Sequence, residues 1–175
     1  MSISILNTDA QLAAKTVAVM GAANAGLLDL TGTGAGQIKF PASQNASSDA
    51  NTLDDYEEGT WTPTDGSGDG LVFTSVSGYY VKIGQLVTAS FSLTYPSTVS
   101  GTAMEFAGLP FTSLTTANGQ YGGSLTYTNS SISIYIYANS NSTLISCYNN
   151  AGVSAPNSAC SLKIFRGTLF YRAAN

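Results

Sequence analysis

Leu86-Val-Thr-Ala-Ser-Phe-Ser-Leu-Thr-Tyr95 decides the fold class, because its apolar residues fall on every second position. Val87, Ala89, Phe91, Leu93 and Tyr95 make one row, and Leu86, Thr88, Ser90, Ser92 and Thr94 make the other. Successive side chains of a strand point to opposite faces of a sheet, so this pattern describes a strand with one face buried. Ile132, Ile134 and Ile136 repeat it against Ser133, Tyr135 and Tyr137, giving a second strand whose outward face is aromatic when the isoleucines lie inside.

Outward from these two, further strands are expected over residues 71–76, 79–83, 103–107, 124–128, 143–148 and 162–171. Gly167 is expected to place a bulge in the last of them and flip its register. Pro63 should end or edge a strand, and residues 53–59 read as an acidic turn. Short strands separated by Gly, Ser and Asn turns predict an all-β fold, an antiparallel β-sandwich or jelly-roll head.

The amino-terminal part is different. Residues 7–16 suit a two-turn helix with Asn7 or Thr8 as N-cap and Asp9 near the positive end of its dipole, too short to be stable alone. Residues 17–40 hold short apolar pieces between glycine-rich turns, too thin for a core, and such pieces become ordered by pairing with other chains or on a partner surface. Residues 41–51 are Ser, Ala and Asn without periodicity, which reads as a linker. The expected division is an extended arm over 1–48 and a head over 49–175.

Composition narrows the function. Only 9% of residues are charged and the formal net charge is -4. The six Lys and Arg are scattered singly at Lys15, Lys39, Lys82, Lys163, Arg166 and Arg172. Phosphate-backbone binding needs clustered cations, so nucleic acid is not an expected partner. No stretch approaches the roughly 20 apolar residues of a membrane span, so no membrane insertion is expected. Residues 1–16 lack a basic start followed by an apolar stretch, which points to synthesis in a cytoplasm. The sequons at Asn45, Asn129 and Asn141 then read as ordinary turn chemistry. Cys147 and Cys160 have no CxxC spacing, and no histidine exists to complete a zinc shell. Their spacing leaves pairing and free thiols both open.

Ala50-Asn-Thr-Leu-Asp-Asp-Tyr-Glu-Glu-Gly-Thr-Trp-Thr-Pro63 resembles a signature that recurs in tail-fibre and related structural proteins of tailed bacteriophages. Its companions are Gly36-Gln-Ile-Lys-Phe-Pro-Ala-Ser-Gln44, Gly78-Tyr-Tyr-Val-Lys-Ile-Gly84 and Gly108-Leu-Pro-Phe-Thr-Ser113. The similarity runs over residues 36–113 and fades afterwards. It implies a virion component with a β-rich homotrimeric head, often at the end of a longer fibre. About 35 residues precede the similarity, too few for a long shaft, so a compact trimer with a short arm would equally suit a capsid decoration (cement) protein. The arm would then serve virion attachment or trimer stapling.

Within the signature, Leu53, Asp54, Asp55, Tyr56 and Trp61 are expected to be structural, with Tyr56 and Trp61 anchoring the turn against the head or a neighbouring subunit. Crowded carboxylates such as Asp54, Asp55, Glu57 and Glu58 are usually solvated or bound to backbone amides, whereas catalytic carboxylates converge from separate segments. Asp65-Gly-Ser-Gly-Asp-Gly70 matches the first half of a calcium loop, but Val76 stands where the closing glutamate belongs, so no tightly held ion is expected.

Serine-hydrolase chemistry lacks a histidine, and no Ser-x-x-Lys replaces it. Glycan cleavage needs two carboxylates across a groove, and beyond Asp69 the head holds only Glu105. These absences argue against a calcium-dependent or glycan-hydrolysing enzyme. The expectation is therefore a non-enzymatic protein without catalytic residues, metal or cofactor, made in the host cytoplasm and placed on the virion, on tail or capsid. Its expected partners are itself, other phage virion proteins and a host cell-surface polysaccharide, the last contacted through Tyr121, Tyr127, Tyr135 and Tyr137. A tyrosine on an exposed sheet face is also simply a good strand former.

Overall fold

A computed structural model describes Phe40, Asp49 and residues 51–53, 55–115 and 121–174. The expected arm, its short helix, most of the linker and Asp54 lie outside the described residues. Phe40–Asn175 forms one compact unit. Phe40, ahead of the expected 48/49 boundary, already packs its ring 6.4 Å from that of Tyr56.

The strands are β1 (Tyr56–Thr60), β2 (Thr64–Asp65), β3 (Thr74–Ile83), β4 (Leu86–Thr94), β5 (Glu105–Ala107), β6 (Tyr121–Thr128), β7 (Ile134–Ala138), β8 (Ile145–Asn149) and β9 (Ile164–Arg172). A 3-10 turn spans Asn157–Cys160. All strand pairings are antiparallel, in one sheet of order β1-β3-β4-β9-β6-β7-β8-β5-β2.

That order forces the sheet to curl. Flat, nine strands would hold the two edges about 38 Å apart. Yet the edge strands β1 and β2 are joined by only Trp61, Thr62 and Pro63, a link that reaches about 15 Å at most. The inner faces of the two ends therefore meet. Phe106 on β5 lies 5.5 Å from Phe91 on β4 and 6.2 Å from Phe165 on β9, ring centre to ring centre, although those strands stand far from β5 in the sheet order. Tyr95 and Phe73 complete this aromatic core.

The alternation in β4 is realised as read: Val87, Ala89, Phe91 and Leu93 are buried, and the alternate residues are not. Ile134 and Ile136 of β7 are buried likewise. Three local readings change. The acidic run is not a turn, since Tyr56–Thr60 pairs with β3 over its whole length. The two strands expected over 71–83 are one, β3, with an irregularity between Thr74 and Ser77 where Ser75 takes a φ of 50°.

Gly167 does not flip β9, because its pairing with β4 runs unbroken and the inward-outward alternation continues through it. The register shift sits opposite, on β6 between Leu125 and Tyr127. Gly167 serves close packing instead: a Cβ there would stand 2.8 Å from the Ser124 carbonyl and 3.0 Å from the Phe91 ring.

Candidate functional site

The signature and its companion at residues 78–84, distant in sequence, come together along β1 and β3, and the companion at 108–113 packs on them through Phe111. Trp61, only 7% exposed, follows β1 and seals the seam between the sheet ends. Its backbone N–H donates to the Gly78 carbonyl at 3.0 Å, and its indole N–H donates to the Ser90 carbonyl of β4 at 3.0 Å. The ring meets Phe91 edge-on at 6.2 Å. Gly78 makes room for this, since a Cβ there would lie 2.7 Å from the indole nitrogen and 2.6 Å from the Trp61 carbonyl oxygen.

The Asp55 carboxylate pairs with the Lys82 ammonium, and each side chain is 5% exposed. The same ammonium lies 5.4 Å from the centre of the Phe111 ring, in the third companion segment. Tyr80 meets that ring edge-on at 5.2 Å and donates its hydroxyl to Glu57 at 2.5 Å. This hydrogen bond, with partial burial and the nearby negative charge, pushes Tyr80 up to about 12. Asp55, Glu57, Trp61, Gly78, Tyr80, Lys82 and Phe111 thus form one interlocked unit. Two signature residues stand apart from it: Leu53 and Tyr56 are exposed, and Tyr56 donates to Glu58 at 2.8 Å, which raises its pKa.

The half-calcium loop is closed by its own chain. Asp65 Oδ1 accepts from the Ser67 backbone at 3.0 Å and the Ser67 hydroxyl at 2.6 Å, and Oδ2 accepts from the Leu71 backbone at 3.1 Å. Asp69 accepts from Asn157 Nδ2 at 2.7 Å, and hydrogen bonds from Ser100, Asn157 and Thr102 hold its carboxyl below the usual range. Among the described residues no three His, Cys, Asp or Glu side chains gather as metal ligands, and no helix is long and apolar enough to cross a membrane. Cys147 and Cys160 are free thiols, both buried, with the Cys160 thiol 3.1 Å from the Met104 sulfur.

The four tyrosines separate. Tyr121 stands opposite buried Ala138, so it faces inward, 6.5 Å from the Tyr171 ring, and its buried hydroxyl finds no partner among the described residues. Its hydroxyl is thereby turned away from solvent. Tyr127 is exposed on β6 beneath the Arg166 guanidinium, 5.3 Å from its ring centre. Tyr135 and Tyr137 share the outward face of β7, and β8 adds Tyr148 directly opposite Tyr135.

Tyr137 and Tyr148 stack at 5.4 Å with planes 24° apart. Partial burial and the hydrogen bond with Tyr148 push Tyr137 up to about 12. Beneath them the Ser146 hydroxyl links Glu105 and Asn139 at 3.0 and 2.9 Å. Beside these tyrosines a shallow depression of about 350 Å³ is lined by Ser131, Ile132, Ser133, Asn149, Asn150 and Ala151.

No family model, curated protein or solved structure matches the chain. Tyr148 was missed from sequence, although its signal is present: Ile145 and Cys147 alternate with Ser146 and Tyr148, which puts Tyr148 on the outward row.

Proposed function

We propose that this chain is a non-enzymatic structural protein of a tailed-phage particle, a homotrimeric tail fibre or receptor-binding tip that holds a host-surface glycan without cleaving it. The curled sheet is the sandwich-type head of that trimer, residues 1–48 join it to other virion proteins, and it acts on the virion surface after synthesis in the host cytoplasm. The observation that carries the reading is the convergence of the signature with its companions at residues 78–84 and 108–113 into one unit built on the Asp55–Lys82 pair and Trp61. Three quoted motifs whose residues lock one another in place suit a module used for its shape.

The acidic side chains favour the same view. Asp55 is held by Lys82, Glu57 by Tyr80, Asp65 by its loop amides and Glu105 by Ser146. The glycan would lie on Tyr135, Tyr137 and Tyr148, whose rings offer stacking surface, while Ser133 and Asn150 in the adjoining depression supply hydroxyl and amide partners. The competing assignment is a capsid decoration protein.

Antibody-gold labelling of particles separates the two, with label on tails expected and label confined to heads assigning decoration. Adding full-length chain and chain lacking residues 1–48 to particles without this component, then sedimenting them, tests attachment. Only the full-length chain is expected to co-sediment.

A further inference from the structure

The register places alternate residues of β1, β3, β4 and β9 in rows on the face turned away from the core. One row is Tyr56, Ile83, Leu86 and Arg172; the next is Glu58, Val81, Thr88 and Phe170; the third is Thr60, Tyr79, Ser90 and Thr168. A sheet with one solvated face normally turns polar residues outward. Here Tyr79 is 62% exposed, Phe170 54%, Leu86 52% and Ile83 48%, with Tyr56 and Val81 beside them. Contiguous apolar surface of this kind marks a contact site rather than scattered exposure.

The face is also polarised. Arg166 and Arg172, both exposed, flank Phe170 along β9. Exposed Glu58 stands on β1. Between the Glu58 and Thr60 rows lies a depression of about 390 Å³, lined by Glu58, Gly59, Thr60, Tyr79, Tyr80 and Val81. Glu58 and Arg172 are three strand spacings apart, about 14 Å across the sheet, too far to pair within one copy. One end of the face therefore carries a protruding ring beside cations, and the other carries a depression beside an anion.

We propose that this face binds a second copy of the chain head to tail, with Phe170 of one copy seated in the β1–β3 depression of the next and Arg172 reaching Glu58 there. Head to tail, each copy gives Phe170 to one neighbour and takes another's in its own depression, a heterologous contact that closes when the rotation between copies completes a ring. A reciprocal exchange about a two-fold axis would sediment as a dimer and overturn the ring. The inference rests on the proposed homotrimer only for the number of copies. Glu58 accepts from Tyr56 and Arg172 donates to Gln85 within the chain, and both remain exposed; because the complementary charges sit on one chain, the partner that fits both ends is another copy.

Sedimentation equilibrium of the full chain tests this, alongside Phe170→Ser, Glu58→Arg, Arg172→Glu and the double variant Glu58→Arg/Arg172→Glu. The wild type is expected to associate, each single variant to associate at least tenfold more weakly, and the double variant to recover most of the loss. Recovery is the decisive reading, since a change in folding alone would not be repaired by a second charge reversal. All three substituted residues are exposed and every replacement is polar, and matched thermal melts check that each variant is folded. A wild-type trimer unaffected by all of them would overturn this face while leaving the homotrimer standing. A wild-type monomer at every concentration would remove both, and a melting temperature lowered by Phe170→Ser without any dependence on concentration would assign the face to the chain's own arm.

Discussion

Asp55, just before β1, and Lys82, on β3, form an ion pair that is closed off from water on both sides. Twenty-six residues separate them in sequence, so the pair fixes how two motifs meet. Removing one partner leaves the other buried and uncompensated, which costs about 3 to 5 kcal/mol. Asp55→Ala and Lys82→Ala are each expected to lose stability in that range by urea titration. Replacing both together with apolar residues of similar volume is expected to cost far less than the two single losses added. Additive losses would show that the charges do not act as a pair.

Trp61→Ala should damage folding rather than adhesion, by about 3 to 5 kcal/mol for a buried ring of this size. Gly78→Ala should also destabilise, because its methyl group would meet the Trp61 backbone and indole. In the Trp61→Ala background the indole contacts are gone and the Trp61 carbonyl at 2.6 Å remains, so the Gly78→Ala penalty should shrink in part. A Trp61→Ala protein with an unchanged melting temperature and lost cell binding would make Trp61 a ligand platform instead.

The strands were legible where one face is buried and the other wet, as in β4 and β7, because period-two burial writes itself into composition. β1 was hidden for the opposite reason. Its Glu57 and Glu58 look like a solvated turn, yet Glu57 is matched by Tyr80 from 23 residues away, a partner no local pattern reveals. The bulge lies on β6 rather than β9; a glycine such as Gly167 signals close approach as readily as a kink, and only the neighbouring Phe91 and Ser124 distinguish them. Curling of the sheet required the strand order as well as the short link through Trp61 and Pro63. Of the tyrosines, Tyr135 and Tyr137 could be placed by alternation with isoleucine, whereas Tyr121 lies beside glycines that set no face.

Chelation should leave stability unchanged. A calcium ion would have to displace the amide and hydroxyl donors already on Asp65, and Asp69 is engaged by Asn157. Thermal melts with and without EDTA check this. A fall of several degrees that calcium restores would mean the loop opens to take an ion.

Alkaline pH should unfold the protein through groups that ionise only when exposed. Burial pushes the Cys160 thiol from its ordinary 9.0 up to about 12 and raises Cys147, Tyr95 and Tyr171 as well. In the unfolded chain these groups lose protons near their ordinary values, while the folded chain keeps them. The unfolded state then binds fewer protons, so stability falls with rising pH. For Cys160 the contribution is complete below 9.0 and disappears as the pH climbs through about 12. Between those limits Cys160 steepens the decline by about 1.4 kcal/mol per pH unit. Urea titrations across this range should show a level region followed by a slope, and Cys160→Ala should make the slope shallower. The thiols should likewise stay unreactive toward an aromatic disulfide reagent at neutral pH until urea opens the core, since the reacting species is the thiolate. Stability that stays level through the whole window, or thiols that react at once in the native protein, would place these groups in contact with solvent.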